Sequence, residues 1–438
     1  MKKSLLVAVS ILSTALVVSC KGKKEEEKVS KEFKPALDTA FECEIKVIGD
    51  YGNFEALEAE FERFNVHYPN VSLTYEKLDD YDNTLATALD RSDKPNIFFT
   101  KAKMPGDEKF NAVFERADIL SDPALNLDLD CLRPGLVNHD AQGNVKMIPV
   151  FSRTYGTLVN DDIFKKENIA VPSTWNELLQ ASQAFKERGY KNPMMGFTKG
   201  DSSCFMNTVA YPMAVEALSK DATALEKANA KASKPGEIED TTAGEFMRGS
   251  LEKVKALFDN GAVDIEECNK IEDNYSKVLL RFFEGDVPMM VCGGDTPSGT
   301  KKREGESEAF KEHPFSYSFV PLPMTDKGGY FIDSPSVEFS INKNCNNLDY
   351  TREFMRFLVR TGELNNMASI KRLVSPTKEV SMNSIYAPFG NVPQERTFSP
   401  EMIGIKDALA TQVRKASYKV GKGDLTIDQA IEQYGTLK

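Results

Sequence analysis

The sequence predicts an α/β fold with two core-forming domains, on the basis of its element order and its length. A strand pattern at 43–48 precedes a helix in which Phe54, Leu57, Phe61 and Phe64 recur every three to four residues. A strand at 71–78, a helix at about 82–90 and a buried strand at 96–99 follow. This alternation is typical of a parallel sheet with right-handed crossovers. Roughly 400 residues after the N-terminal segment suffice for two domains.

Later segments indicate places where the chain passes between the domains. Strand patterns at 144–150 and 155–160 flank the polar residues 152–154, which we interpret as a first crossing. A strand at 287–292 runs into two glycines, which mark a bend or a close backbone approach and a second crossing. A third candidate crossing lies at 330–336.

Capping signals fix two helix starts in the second half of the chain. Thr174 and Glu177 form a capping-box pattern at the head of one helix, and Thr426 is expected to cap the last helix at 427–434. The final hundred residues are expected to be mostly helical.

The first twenty residues have the pattern of an export signal. Lys2 and Lys3 precede an apolar run at 5–18 that is too short to span a bilayer stably. The run ends at Cys20, after small residues, as in the lipobox of bacterial lipoproteins. We therefore expect a signal peptide at 1–19, a lipidated Cys20 and a flexible, Lys- and Glu-rich tether within 20–40. The alternative is an ordinary secretory peptide in which Cys20 is incidental.

Charge and cysteine usage exclude some classes of protein. A net charge of −11 and a pI near 5.1 argue against a nucleic-acid partner, which would need clustered Lys and Arg. The other cysteines form no CxxC pair and no metal-ligand spacing with His, so no metal is expected. Disulfides and buried free thiols both remain open.

The order of several short stretches resembles the extracellular solute-binding proteins of the maltose-binding class, which serve ABC transporters. The resemblance covers nearly the whole chain, and no single stretch is specific by itself. The stretches that carry it include FERFNVHYPNV at 61–71, DYDNTLATALD at 80–90, MIPVFSRTYGTLVN at 147–160, FFEGDVPMMVCGG at 282–294 and TREFMRFLV at 351–359.

This resemblance implies a two-lobed periplasmic-binding-protein fold of type II, with a mixed sheet flanked by helices in each lobe and hinge crossings between them. The implied lobes are 41–149 plus 293–331, and 150–292 plus 332–438. The implied protein is a monomeric, non-enzymatic lipoprotein at the outer face of a membrane, without a cofactor. It delivers a small solute to ABC permease subunits by hinge closure around the ligand.

Candidate ligand contacts follow from the strand ends, because open α/β sheets bind ligands beyond the carboxyl ends of their strands. At the first crossing the family pattern places a polar or aromatic ligand contact. The candidates are Asp50, Tyr51, Asp80, Tyr81 and Lys101 after the early strands, Arg153 and Tyr155 at the first crossing, Asp201 and Phe205 after the strand at 194–198, and Asp295, Asp333 and Ser334 at the later crossings.

Carbohydrate is the leading ligand class, since the resemblance favours sugars or oligosaccharides that stack on aromatic rings. The chain departs from that habit in having one tryptophan. Tyr51, Tyr81, Tyr155 and Phe205 are the alternative stacking residues. Arg153 with Lys101 would instead suit an anionic solute.

A secreted carbohydrate-active hydrolase is the rival class. The sequence holds three His and lacks HExxH, GxSxG and GxxxxGK motifs, although its 66 Asp and Glu leave a glycosidase pair open by count. A surface adhesion protein would not need repeated α/β units or hinge crossings.

Overall fold

A computed structural model describes residues 32–52, 54–105, 107–200, 203–379 and 384–438. The expected signal peptide, Cys20 and most of the expected tether lie outside these residues. In the part that is described, no helix has the length and apolar character needed to cross a membrane.

Ten strands are present in the described part of the chain. They are β1 Cys43–Gly49, β2 Val71–Lys77, β3 Ile97–Thr100, β4 Ile148–Asn160, β5 Met194–Gly196, β6 Met289–Gly294, β7 Tyr317–Val320, β8 Phe331–Ile332, β9 Ser334–Ile341 and β10 Thr397–Phe398. The strands expected at 43–48, 71–78, 96–99 and 287–292 are thereby confirmed within two residues at each end.

The described α-helices surround these strands. They are α1 Glu55–Asn65, α2 Tyr81–Ala88, α3 Asn111–Arg116, α4 Asp161–Lys166, α5 Trp175–Glu187, α6 Cys204–Val209, α7 Tyr211–Ser219, α8 Ala222–Ser233, α9 Arg248–Asp259, α10 Ile265–Cys268, α11 Ser276–Phe282, α12 Thr300–Glu306, α13 Glu308–Glu312, α14 Leu348–Leu358, α15 Thr361–Lys371, α16 Pro400–Ile403, α17 Asp407–Lys422 and α18 Ile427–Glu432. The expected capping box of Thr174 with Glu177 is confirmed, and so is the expected cap Thr426, which forms a further capping box with Gln429.

The chain folds into two α/β lobes whose sheets share one strand. The path of the main sheet is β2, β1, β3, β9, β4, β6, β5, and β7 also pairs with β4. The pairs of β1 with β2 and β3 are parallel, as the alternation predicted, whereas β9 runs antiparallel to β3 and β4. The first half of β4 belongs to the sheet of the first lobe, and its second half pairs with β6 and β7 in the second lobe.

The expectation of two strands separated by the polar residues 152–154 is wrong. The strand β4 is 13 residues long and continues through these positions. The strand is not broken here, because Ser152 is hydrogen-bonded at the lobe junction. Ser152 donates its backbone N–H to the carbonyl of Val374, and its hydroxyl accepts from Arg133. Register irregularities between Pro149 and Ser152 bend the strand where it changes lobes.

Strand pairing differs from the expected lobe boundaries at two places. The strand β7, expected in the first lobe, pairs with the second half of β4, whereas β9, expected in the second lobe, lies between β3 and β4. The helices α14 and α15 likewise contact α1. We propose that the first lobe comprises 34–152 and 334–379, and that the second comprises 153–333 and 384–438.

Residues 36–38, expected in the flexible tether, are instead hydrogen-bonded to the first lobe. The backbone N–H of Ala36 lies 2.9 Å from a carboxylate oxygen of Glu353, which also accepts from the Tyr68 hydroxyl at 2.6 Å. The Tyr350 hydroxyl donates to the carbonyl of Asp38 at 3.0 Å. The tether therefore ends before Ala36 rather than at residue 40.

Each lobe has an apolar core of its own. In the first lobe the rings of Phe54, Phe99 and Phe339 pack within 6.2 Å of one another, centre to centre. In the second lobe, β6 and the buried faces of α5, α9 and α17 contribute to one continuous cluster. The described cysteines are free thiols.

A buried ion pair joins the segments that meet at the lobe junction. Arg133 forms a two-pronged contact with Asp333, at 2.7 and 2.9 Å, and also donates to Ser152 at 2.8 Å. The same guanidinium donates to the carbonyls of Ser375 and Thr377. One side chain thus connects β4, the chain entering β9 and the segment after α15.

We expect Arg133→Met to lower the free energy of unfolding by about 3–5 kcal/mol, because it leaves the buried Asp333 carboxylate without its counter-charge. Urea unfolding followed by circular dichroism measures the change. The matched control is Lys255→Met, since Lys255 forms an exposed pair with Asp259 that contributes about 0–1 kcal/mol. Equal losses in the two variants would contradict a special role for the Arg133 network.

Candidate ligand-binding cleft

The strand register at the lobe junction places Arg153 beside the start of β9 and the end of β6. Arg153 pairs with Ser334 of β9, and the next residue, Thr154, pairs with Gly294 of β6. Asp295 follows directly on Gly294, whose φ of +62° turns the chain away from the strand. The backbone thus brings together the two charged residues that the sequence placed at separate crossings.

Gly293 allows this close approach. A Cβ atom at Gly293 would overlap the ring of Tyr155, its partner across β4 and β6. The expectation that the paired glycines mark a bend or a close backbone approach is confirmed, with Gly294 making the bend and Gly293 the approach.

Asp295, in the proposed second lobe, contacts two side chains of the first lobe. Its carboxylate oxygens accept from the Ser336 hydroxyl at 2.8 and 3.0 Å, and the Tyr51 hydroxyl lies 3.5 Å from one of them. Burial, reinforced by the charge of Asp295, raises the pKa of Tyr51 well above its usual value. The Lys371 ammonium lies 4.6 Å from the centre of the Tyr51 ring. Burial lowers the pKa of Lys371.

The second lobe adds a wall of polar side chains around Tyr155. Arg414 of α17 is 9% exposed and donates to Asn207 of α6 at 3.2 Å and to Thr411 at 2.8 Å. Within the described residues, the buried Nε atoms of Arg153 and Arg414 have no hydrogen-bond partner. Buried N–H groups without partners are unusual, and they mark this wall as a place that can donate hydrogen bonds to a bound molecule.

A cavity of about 460 Å³ is lined by residues of β9 and α16, close to the lobe junction. Glu338 and Glu401 are among its lining residues, and Glu338 is fully buried. Both carboxylate oxygens of Glu338 and one of Glu401 lack a partner in the described part of the chain. Burial, and then the nearby charge of Glu401, raise the pKa of Glu338 to about 8. Burial also raises the pKa of Glu401.

A separate charged cluster lies at the ends of β1 and β3. Lys101 is 2.8 Å from Asp50 and 2.8 Å from Asp82, and a cavity of about 320 Å³ lies beside it. Burial acts to lower the pKa of Lys101, but its hydrogen bonds to the two carboxylates outweigh burial and raise it. The charge of Lys101 is thus already balanced inside the protein.

The structure brings some of the predicted ligand contacts together and separates others. Tyr51, Arg153, Tyr155, Asp295 and Ser334 meet at the lobe junction. The charged cluster with its cavity holds Asp50, Asp80, Tyr81 and Lys101. All of these remain predictions as ligand contacts.

Three predicted contacts have other surroundings. The Tyr81 side chain is buried and donates to the carbonyl of Phe99 at 2.8 Å. Phe205 is fully buried in the core of the second lobe, and Asp333 is engaged by Arg133. Asp201 lies outside the described residues.

The sequence did not point to several side chains of the cleft. They are Asn207, Tyr211, Ser336, Glu338, Lys371, Glu401 and Arg414. Ser336 and Glu338 had a usable signal, since both share a strand face with the predicted Ser334. Lys371 is the last residue of α15 and Arg414 lies within α17, and only the packing of those helices directs the two cations toward the junction.

No cluster of three or more His, Cys, Asp or Glu side chains suited to a metal ion is present in the described ranges. The cleft chemistry visible there is that of hydrogen-bond donors and acceptors beside tyrosine rings.

We expect Glu338→Gln to stabilise the protein increasingly as the pH rises from about 5 to 8. The pKa of this carboxyl is about 8 in the folded chain against an ordinary 4.5, so the folded state binds the proton more tightly. Wild-type stability therefore falls between these pH values and levels off above pH 8. The difference between variant and wild type should grow by on the order of a few kcal/mol.

Urea unfolding at pH 5, 6, 7 and 8 measures this difference, with Glu432→Gln at an exposed position as the control. Parallel stability curves for wild type and Glu338→Gln would contradict the burial of a protonated carboxyl.

Comparison with known proteins gives the family of the chain. A family model described as bacterial extracellular solute-binding protein matches residues 49–363, which is most of the sequence. No curated protein matches the chain.

Solved structures share the fold across nearly the whole chain. The apo-form of RafE from Streptococcus pneumoniae has a TM-score of 0.68 at 14% identity, covering 92% of this chain and 98% of that one. RafE in complex with raffinose gives 0.65 at 15%, covering 90% and 98%. A sugar transporter from Bacillus licheniformis in complex with stachyose gives 0.59 at 15%, covering 90% and 100%. At these identities the likeness establishes the two-lobed fold, and with the family match it shows that the chain belongs to the bacterial extracellular solute-binding proteins.

Proposed function

We propose that this protein captures an oligosaccharide between its lobes and delivers it to the permease subunits of an ABC importer. The observation that carries the proposal is the set of partly exposed side chains at the lobe junction, where Tyr51, Arg153 and Asp295 face one another with hydrogen-bonding capacity left over. A junction between two lobes is where a hinged receptor can enclose a ligand.

The chemistry of the junction suits a saccharide. Tyr51 and Tyr155 offer aromatic faces for the apolar faces of sugar rings, while Asp295, Asn207 and Arg414 offer acceptors and donors for hydroxyl groups. The structures of related fold that hold raffinose and stachyose support the same class. Tyrosines would take the stacking role that the scarcity of tryptophan leaves open.

Hinge closure supplies the binding mechanism. Tyr51 and Lys371 belong to the proposed first lobe, Tyr155 and Arg414 belong to the second, and Arg153 lies where β4 passes between them. A ligand that contacts both groups makes its full set of hydrogen bonds only when the lobes are closed. Its differential affinity for the closed state then shifts the population toward that state.

We further propose a monomeric, exported protein that Cys20 anchors to the cell envelope and that catalyses no reaction. Its family is one of extracellular binding proteins, which supports export and a binding role. The lipobox-like approach to Cys20 supports the anchor. The polar residues between Cys20 and the hydrogen-bonded segment at Ala36 give the receptor a short tether to the membrane.

We expect Arg153→Ala to weaken saccharide binding at least tenfold, since a hydrogen bond from a charged donor contributes about 1.5–3 kcal/mol. A thermal-shift screen against raffinose, stachyose and other oligosaccharides identifies the ligand, and titration calorimetry then measures the dissociation constant. Ligand at 100 times that constant stabilises the protein by about 2.7 kcal/mol. Unchanged affinity of the Arg153→Ala variant at an unchanged melting temperature would exclude Arg153 from the site. Lys255→Ala, at an exposed position, is the matched control and should bind as the wild type does.

We expect Cys20→Ser to abolish lipidation without altering the folded body. Detergent phase separation of cell extracts should move the protein from the detergent phase to the aqueous phase, and its thermal unfolding should be unchanged. A Cys20→Ser variant that still partitions into detergent would contradict the anchor. The Cys43→Ser change serves as a cysteine-removal control for partitioning alone, since Cys43 is half-buried in β1.

A further inference from the structure

Three cations at the lobe junction, Arg153, Lys371 and Arg414, have fewer ion pairs than many other Lys and Arg side chains of this protein. Many Lys and Arg residues of this protein lie within 4.0 Å of a carboxylate, as Lys101 does with Asp50. Neither Arg153 nor Lys371 has such an ion pair, or any side-chain hydrogen bond, to another described residue. Arg414 reaches only Asp407, at 3.8 Å, and that carboxylate is largely exposed.

The three cations converge on one part of the cleft from three elements. Arg153 lies on β4, Lys371 ends α15 and Arg414 lies on α17. Tyr51 connects the first two, since Lys371 covers its ring and the charge of Arg153 acts on its hydroxyl. Tyr155 connects Arg153 with Arg414, because both guanidinium charges act on it.

The carboxylates nearby act on these cations only at longer range. The charges of Asp295 and Glu401 act on Arg153, and those of Glu55 and Asp295 act on Lys371. Asp295 also accepts from the Ser336 hydroxyl, and Tyr51 approaches one of its oxygens. Arg153 and Lys371 therefore keep N–H groups that can donate to a ligand in a partly desolvated cleft. The buried Nε atoms of both arginines are also left without partners in the described chain.

We propose that the oligosaccharide is acidic and that its carboxylate binds among Arg153, Lys371 and Arg414. This inference rests on the proposed function and narrows its substrate class. A carboxylate accepts several charge-assisted hydrogen bonds at once and matches the planar fork of a guanidinium. It meets all three cations only when both lobes contact it, so the ligand stabilises the closed state.

Paired titrations test the charge requirement. The purified protein is titrated calorimetrically with trigalacturonate and with neutral galactotriose of the same linkage, and with glucuronate-substituted xylotetraose and plain xylotetraose. We expect the acidic member of at least one pair to bind at least tenfold tighter than its neutral counterpart. Absence of such a preference in both pairs overturns the inference.

Substitutions in the cleft test whether its cations cause the preference for acidic over neutral oligosaccharides. Arg153→Gln and Lys371→Gln should each reduce the preference to less than threefold while keeping the melting temperature, whereas Lys255→Gln, at an exposed pair, should keep it. A preference that survives both cleft substitutions overturns the inference, because surface charge would then be its source.

The outcomes separate this inference from the proposed function. Binding of a neutral oligosaccharide as tightly as the acidic ones keeps the saccharide receptor and removes the acidic ligand. Equal binding of citrate or glutarate keeps the cationic site but overturns the saccharide assignment, and with it the inference.

Discussion

The protein depends on one strand that belongs to two sheets. The first half of β4 exchanges hydrogen bonds with β9, and its second half exchanges them with β6 and β7. The sheet of each lobe therefore includes one half of the same strand. The change of lobe occurs at Ser152, where Arg133 holds β4, Asp333 and the carbonyls at 375–377 together. The single strand β4 can bend at this point, and the ion pair of Arg133 with Asp333 restricts the bend to the residues beside it.

The position of the cleft follows from this shared strand. Arg153 is the first residue of β4 beyond the Arg133 network, and it lies beside the turn at Gly294 that delivers Asp295. Arg153 and Tyr155 lie on β4 itself, α15 packs against β4, and α17 packs on α6, which contacts β4 and β6. The junction therefore joins the mechanical role of a hinge to the chemical role of a binding site. The carboxyl of Glu338, which has no hydrogen-bond partner among the described residues, lies beside the cavity at the edge of the same junction.

Sequence periodicity predicted most of the fold, for reasons that the structure makes clear. The early strands and helices follow hydrophobic patterns that local geometry enforces, and Thr174 with Glu177 fixes a helix start by satisfying backbone N–H groups. In the sequence, the polar residues within β4 suggest a break, because Arg133 and Val374, the partners of Ser152, are remote along the chain. The lobe assignment of β7 and β9 was also inaccessible, since it depends on which strand each one pairs with.

The candidate site was predictable only in part. Arg153 and Asp295 stood out because both lie at crossings, whereas Lys371, Glu401 and Arg414 gain their position from helix packing that no local pattern encodes. Ligand binding between the lobes at Arg153 can be tested by a crystal structure of the protein with the oligosaccharide that binds it most tightly. We expect ligand density within hydrogen-bonding distance of the Arg153 guanidinium, with contacts to residues of both lobes. Density confined to the cavity between Asn160 and His313, on the second lobe alone, would contradict it.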